Sequence, residues 1–432
     1  MEISIPLYTD EILNRLIENG YDSYIVGGSI RDSLMGKTPI DWDITTLAEP
    51  HQVIELFKEK TAILTGEKYG TVTIVCHEGK VEVTTFRSEG NYTDGRHPDW
   101  IRFEKNIEND LSRRDFTINA IAYNRIRGIV DPYKGRDDIL SKTIRTVGNP
   151  IGRFNEDRLR MIRAIRFSTS LCFELEENSL YAIKSLAHSI EEVSSERIRE
   201  ELFKILADDN SAEGIKKLLH TDLLKYILPE VKIVQEYNKG NIESIKYILC
   251  LLNNTPAIIS IRMAVLFKGK KPLEKIDCIT NAAYATMKEL CFSNDLIKET
   301  VLLIEHFEKF QLPKTKYHTK VLIKEIGKDT IYHLIALLKA DAYCKEDNAM
   351  INNLLKLKNI IDDIFNNKEP IELADLDING NDIVRMGFDE GEIIGRILKD
   401  LMLKVLKTPE LNEKVKLKRV VTETYLNKKG GF

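Results

Sequence analysis

The chain lacks most of the marks of specialised protein classes. Only six of its 432 residues are cysteine (Cys76, Cys172, Cys250, Cys278, Cys291 and Cys344), and no two stand as Cys-x-x-Cys. That scatter speaks against a zinc site or a disulfide framework and implies buried thiols in a reducing compartment. The eight histidines show no ligand spacing. There is no basic segment leading into an apolar core at the N-terminus and no apolar run of about 18 residues, so a cytoplasmic protein outside the membrane is expected. Asn91-Tyr92-Thr93 matches a glycosylation acceptor, but carries no weight without a secretory signal. Nor does one sign of charge dominate: the net charge is −4, so any nucleic-acid affinity must come from local basic patches. The length leaves room for roughly two to four domains with sizeable cores.

What is present begins with Val26-Gly27-Gly28-Ser29-Ile30-Arg31-Asp32, followed by Asp41-Trp42-Asp43. In a strand, residues i and i+2 share a face, so Asp41 and Asp43 converge on one spot. Two carboxylates that close repel unless a cation lies between them, and hard oxygen ligands favour Mg²⁺. Gly27 and Gly28 let backbone N–H groups at a helix start approach a phosphate. Arg31 adds a guanidinium for phosphate oxygens. Each half alone is commonly an ordinary turn or cap. In this order and spacing they describe a metal-dependent site for a nucleoside triphosphate.

Residues 1 to about 145 mix helix and strand signals. Thr9 to Asn19 reads as a helix, Tyr24-Ile25-Val26 as a short strand, and Thr71–Cys76 with Lys80–Phe86 as a hairpin around His77-Glu78-Gly79. Leu111 to Tyr123 reads as a further helix, and Asp131-Pro132 with Gly135 as turn punctuation. From Phe154 onward the chain is almost wholly helix-periodic, with breaks near Asp208–Ser211, Gly269–Pro272 and Asn366–Pro370. The expected class is α+β: a small mixed sheet with helices, followed by all-α segments. The expected domains are a catalytic head over 1–148, a helical neck over 149–210, a helical body over 211–330 and a helical tail over 331–432. The terminal stretch is locally basic (Lys404, Lys407, Lys414, Lys416, Lys418, Arg419, Lys428, Lys429), either as a solvated face or as a bed for a polyanion.

A second signal is Asn155-Glu156-Asp157 followed by Arg160, Arg163 and Arg166. Asn155 can cap a helix, and steps of three place the charges along one ridge. A solvated face with an Asp157–Arg160 pair is the plainer alternative. The richer one is base selection. Cytosine and adenine both present an amino donor beside a ring-nitrogen acceptor, which Asp157 and Arg160 match; guanine and uracil present the reverse. Arg163 and Arg166 then face the triphosphate. Ser112-Arg113-Arg114-Asp115-Phe116-Thr117 adds Arg114 for phosphates, Asp115 to orient an arginine and Phe116 for packing, with Asp110 or Ser112 as a helix cap. Glu82 is either a third acid near the metals or a solvent-facing hairpin residue.

Together these residues resemble the bacterial class II CCA-adding tRNA nucleotidyltransferases, of the tRNA nucleotidyltransferase/poly(A) polymerase family. The resemblance runs through Gly-Gly-Ser-Ile-Arg-Asp with Asp-Trp-Asp, Arg113 to Thr117, Asp131-Pro132 with Gly135, Glu156 to Arg160 with Arg163 and Arg166, and Ser195-Glu196-Arg197-Ile198 with Glu201, covering about the first 210 residues. Leu228-Pro229-Glu230 and Gly380-Asn381-Asp382-Ile383 resemble landmarks of the helical part. The resemblance implies head, neck, body and tail in a seahorse-like arrangement, with Asp41 and Asp43 catalytic and holding Mg²⁺. It implies Gly28, Arg31, Arg114, Arg163 and Arg166 on the triphosphate, and Asp157 and Arg160 on the base. The implied reaction is template-independent addition of CCA to tRNA from CTP and ATP, by two-metal nucleotidyl transfer that releases pyrophosphate. The tRNA would be held by shape and backbone along the basic tail, by a monomer or homodimer.

No His-Asp metal pair follows residue 210, since His220, His306, His318 and His333 stand alone; no added phosphohydrolase activity is expected. Poly(A) polymerases of the family carry a basic element where this chain has Thr65-Gly66-Glu67-Lys68-Tyr69-Gly70. Enzymes adding only CC lack part of the loop that runs here from Arg87 to Phe103 with Tyr92, Arg96, His97 and Pro98. Both features favour full CCA addition over polyadenylation, CC-only or A-only addition, and over an RNA-binding protein with an inactive head.

Overall fold

The computed structural model describes residues 3–66, 70–90, 100–268 and 275–426. The chain divides into two compact units, Met1–Pro229 with Glu289–Cys291, and Glu230–Lys288 with Phe292–Phe432.

The first unit opens with α1 (Leu7–Glu18), β1 (Ser23–Val26), α2 (Gly28–Leu34), β2 (Trp42–Thr46) and α3 (Pro50–Leu56). Then come β3 (Thr61–Gly66), β4 (Thr71–Val75), β5 (Lys80–Thr85), β6 (Arg87–Gly90), β7 (Trp100–Phe103) and α4 (Ile107–Ser112). The head closes with β8 (Ala122–Asn124), β9 (Gly128–Val130) and α5 (Gly135–Leu140). One seven-stranded sheet has the order β3-β4-β5-β2-β1-β8-β9. Within it β2 pairs parallel with β5 and antiparallel with β1, so Asp43 lies opposite Val26 on one side and Glu82 on the other. All four residues of β1 are buried, as suits a central strand. Tyr24 and Val26 pack with Phe86, Ile107 and Leu111 in one apolar cluster. On β2 the alternation is strict at the start: Trp42 is 3% exposed while Asp41 and Asp43 face outward. Burial of Trp42 contributes about 3 kcal/mol and fixes which face the two aspartates share.

The expected helix from Leu111 to Tyr123 is not formed. Instead α4 ends at Ser112, a short 3₁₀ turn covers Thr117–Asn119, and β8 follows. Asp115 accepts from the Phe116 N–H, and Thr117 bonds to Asp138 at 2.6 Å and to the Arg145 carbonyl through its N–H. These side-chain and long-range bonds outcompete helix, as short polar side chains tend to do.

After α5 come β10 (Thr143–Ile144), α6 (Pro150–Glu156), α7 (Leu159–Ser170), β11 (Glu174–Leu175), α8 (Glu177–Leu186) and α9 (Ser195–Ala207). The stretch expected to be purely helical thus contains β11, which pairs parallel with β10. Asn155 does not cap α7; it lies inside α6, whose cap is Asn149. The α7 start is served by Asp157, in extended conformation, accepting from the Leu159 N–H at 3.1 Å.

The second unit is helical throughout its described residues, with a core built from Ile397, Leu401, Met402, Val405 and Leu417 among others. A helix ends at Asn366, as the sequence suggests, while the expected break at 269–272 lies outside the described residues. The cysteine expectation needs correction. Cys250 and Cys344, 94 residues apart, meet in a disulfide, because packing of their helices brings the Cα atoms to 6.0 Å. Cys172, Cys278 and Cys291 are exposed and Cys76 half-buried. The cysteines therefore say nothing for a reducing compartment. Among the described residues no helix is long and apolar enough to cross a membrane.

Candidate active site

The turn from β1 into α2 depends on Gly27, whose φ of +81° is open to glycine and strained for other residues. A Cβ there would also come within 3.2 Å of the Arg114 guanidinium, so the glycine lets an arginine lie against the backbone. Gly27 and Gly28 form one end of a cavity of about 540 Å³. Asp41 and Asp43 line one side of it, and Arg31, Arg114, Arg163 and Arg166 reach it from α2, the end of α4 and α7. Residues distant in sequence thus meet at one cavity.

Each arginine is held by a specific partner. Asp110, fully buried, receives Arg113 at 2.8 Å and Arg114 at 3.2 Å. Burial works against its charge, yet the two guanidiniums keep its carboxyl below the usual range. Asp110 is therefore a buried anchor for Arg114 rather than a cap. Asp115 takes two bonds from Arg163, at 3.0 and 2.6 Å. Burial again opposes ionisation, but Arg163 draws the Asp115 pKa down to about 2. Arg31 donates to Asp32 at 2.9 Å and to Asn119 at 2.7 Å, and Asn119 donates onward to Asp115 at 3.2 Å. Arg166 pairs with Glu201 of α9. A continuous chain of hydrogen bonds therefore runs from Asp32 through Arg31, Asn119 and Asp115 to Arg163. Asn119, which lines the cavity, carried no signal in the sequence.

Asp43 is open to solvent on the cavity side, yet the surrounding protein removes much of its hydration. Loss of solvent pushes its pKa up to about 6; Arg114 pulls it down, while Glu82 and Asp41 push it up. Glu82 is exposed, yet it stands beside Asp43 in the ladder and adds to the negative field there. Among the described residues no three His, Cys, Asp or Glu side chains form a metal cluster. Two converging carboxylates whose charges resist each other nonetheless fit a divalent cation that shares its remaining positions with water and phosphate.

Asp157 and Arg160 do not line this cavity. Asp157 receives Arg197 of α9 at 2.8 Å in addition to the Leu159 N–H. Arg160, 8% exposed, bonds Glu156 at 2.6 Å and the Arg113 carbonyl at 3.2 Å. Both are locked by neighbours at the start of α7. Of the segments that bear on the choice among family activities, residues 67–69 and 91–99 lie outside the described residues; β6 and β7 pair as an antiparallel hairpin up to that gap.

The fold and this cavity define a nucleotidyltransferase. Residues 23–145 match the family model for the poly A polymerase head domain, residues 172–234 one described as "Probable RNA and SrmB- binding site of polymerase A", and residues 275–421 one for tRNA nucleotidyltransferase domain 2. The chain is 33% identical over 410 residues to the CCA-adding enzyme of Ligilactobacillus salivarius, covering 93% of both. It is 31% identical to that of Staphylococcus saprophyticus, over 95% of this chain and 96% of the relative. The chain belongs to the family of CCA-adding enzymes. Among solved structures, the Bacillus stearothermophilus CCA-adding enzyme in complex with CTP superposes with a TM-score of 0.77 at 26% identity over 98% of each chain. The Thermotoga maritima CCA-adding enzyme complexed with tRNA shares the fold, with a TM-score of 0.63 at 22% identity over 98% of this chain and 97% of the other.

Proposed function

We propose that this chain adds CCA to the 3′ end of tRNA from CTP and ATP, releasing pyrophosphate. The observation that carries the reading is the cavity itself, lined by a pair of carboxylates and by guanidiniums from α2, α7 and the turn after α4. The full-length similarity to CCA-adding enzymes supports it.

Arg31, Arg114, Arg163 and Arg166 hold the triphosphate, with Gly27 and Gly28 letting backbone N–H groups approach it. Asp41 and Asp43 are the residues that would hold Mg²⁺, whose chemistry is to make the attacking 3′-hydroxyl more acidic and to neutralise charge on the departing pyrophosphate. The arginines bear the charge that moves onto pyrophosphate as the bond to the α-phosphorus breaks. Asp157 accepts from the amino group shared by cytosine and adenine, and Arg160 donates to the neighbouring ring nitrogen. Arg197 and Glu156 hold that pair in a fixed attitude, so a guanine or uracil leaves polar groups unmatched. The tRNA lies along the basic C-terminal helices, held through its backbone.

The test is incorporation onto a tRNA transcript lacking its 3′ CCA, with CTP and ATP supplied separately and together. Two C residues from CTP alone and complete CCA from both are expected. Long A tails would indicate a poly(A) polymerase, a halt at CC a divided pathway, and no incorporation an inactive RNA-binding protein.

A further inference from the structure

Three positive side chains beside one cavity repel one another, and their carboxylate partners are not the only groups that hold them. Phe167 of α7 is 7% exposed and lines the cavity. Its ring centroid is 3.9 Å from the Arg166 guanidinium carbon, 5.2 Å from that of Arg31 and 5.5 Å from that of Arg163. All three fall within the range in which the negative face of an aromatic ring attracts a cation. The ring is itself fixed edge-to-face by Phe116, at 5.7 Å and 77°. Phe116 is fully buried and follows Asp115, the partner of Arg163.

The charge balance explains why a ring is useful. Burial lowers the Arg166 pKa; Glu201 raises it, and the neighbouring Arg163 charge lowers it further. Arg31 meets Asp32 but otherwise leans on Asn119, a neutral acceptor. A leucine would fill similar space but offer no attraction to a guanidinium. A further carboxylate would attract the arginines but also cancel the field that an anion needs. An aromatic face attracts cations while adding no net charge.

We propose that Phe167 is a positioning residue for phosphate binding, whose ring gathers Arg31, Arg163 and Arg166 into one cluster before a nucleotide arrives. This rests on the reading that the cavity takes a triphosphate. It extends that reading to a residue that would otherwise count only as core.

Replacement of Phe167 with mono-, di- and trifluorophenylalanine keeps its shape while progressively weakening the negative face of the ring. Calorimetric Kd values for inorganic triphosphate and for CTP, with magnesium in excess and no tRNA, should weaken stepwise to about tenfold at three fluorines. F167Y should bind as wild type, and F167L should resemble the trifluoro variant. At saturating CTP, kcat should hold while KM rises. A flat Kd across the fluorinated series, with tight binding by the wild type, would overturn the proposal and make Phe167 a core filler. Absence of triphosphate binding by the wild type would instead overturn the reading of the cavity. Should F167L fail to fold, the fluorinated series still decides.

Discussion

The two units arrange their charges differently. In the second, ion pairs are scattered, some buried, as Lys268 with Glu308 and Lys320 with Glu369, and others on the surface, as Lys416 with Glu413, Lys358 with Asp362 and Arg419 with Glu423. The surface pairs contribute little, and each can be lost without consequence for its neighbours. In the first unit, four arginines and four aspartates line one cavity, and buried acids, Asp110, Asp115 and Glu201 among them, hold the arginines. Buried charge clustered by dedicated partners costs stability that dispersed surface pairing does not. The contrast separates scattered ion pairs from charge gathered around one cavity.

The sharpest way to break that contrast is to neutralise the acids. Asp41→Asn and Asp43→Asn should each lower nucleotide incorporation by about 100-fold or more while the protein stays folded, checked by single-turnover assay and thermal melting. Arg166→Ala leaves Glu201 paired with Lys204, 3.2 Å away. It should weaken CTP, ATP and UTP binding alike by roughly 10-fold, as loss of a charge-assisted contact common to all nucleotides. Unequal losses would move Arg166 from phosphate to base.

Asp115 tests the cost of the arrangement. Its pKa falls from 3.8 to about 2 on folding, so its ionised form stabilises the fold by about 2 kcal/mol above pH 4. That contribution is lost as pH drops from about 4 through about 2. Wild type should therefore lose its advantage over Asp115→Asn across that window in acid unfolding. The smallest effect belongs to the second unit: Lys416→Ala should change stability by less than about 0.5 kcal/mol and leave nucleotide binding unaltered.

What the sequence reveals follows from the range of the interactions. The two-residue period of Asp41-Trp42-Asp43 and the three-residue step of Arg160, Arg163 and Arg166 are local geometry, and so they are legible. Gly27 is legible too, since a turn between strand and helix needs its backbone freedom. Asn119 is not: its role comes from Arg31, 88 residues away. Asp110 looks like a cap because nothing nearby announces that Thr45 and the end of α4 enclose it. Phe167 reads as an apolar residue on a helix, and only folding brings Arg31 over it. Cys250 and Cys344 fail in the same way, as a contact across 94 residues. The expected helix from Leu111 to Tyr123 failed because Asp115 and Thr117 bond elsewhere.

In the proposed division of labour, the open cavity binds phosphates and the locked pair at the start of α7 reads the base. Binding of CTP, UTP and inorganic triphosphate to wild type and Asp157→Ala tests it directly. The account predicts that wild type prefers CTP over UTP, that the variant loses this preference, and that both proteins bind triphosphate equally. Unchanged discrimination, or a loss of triphosphate binding in the variant, would contradict it.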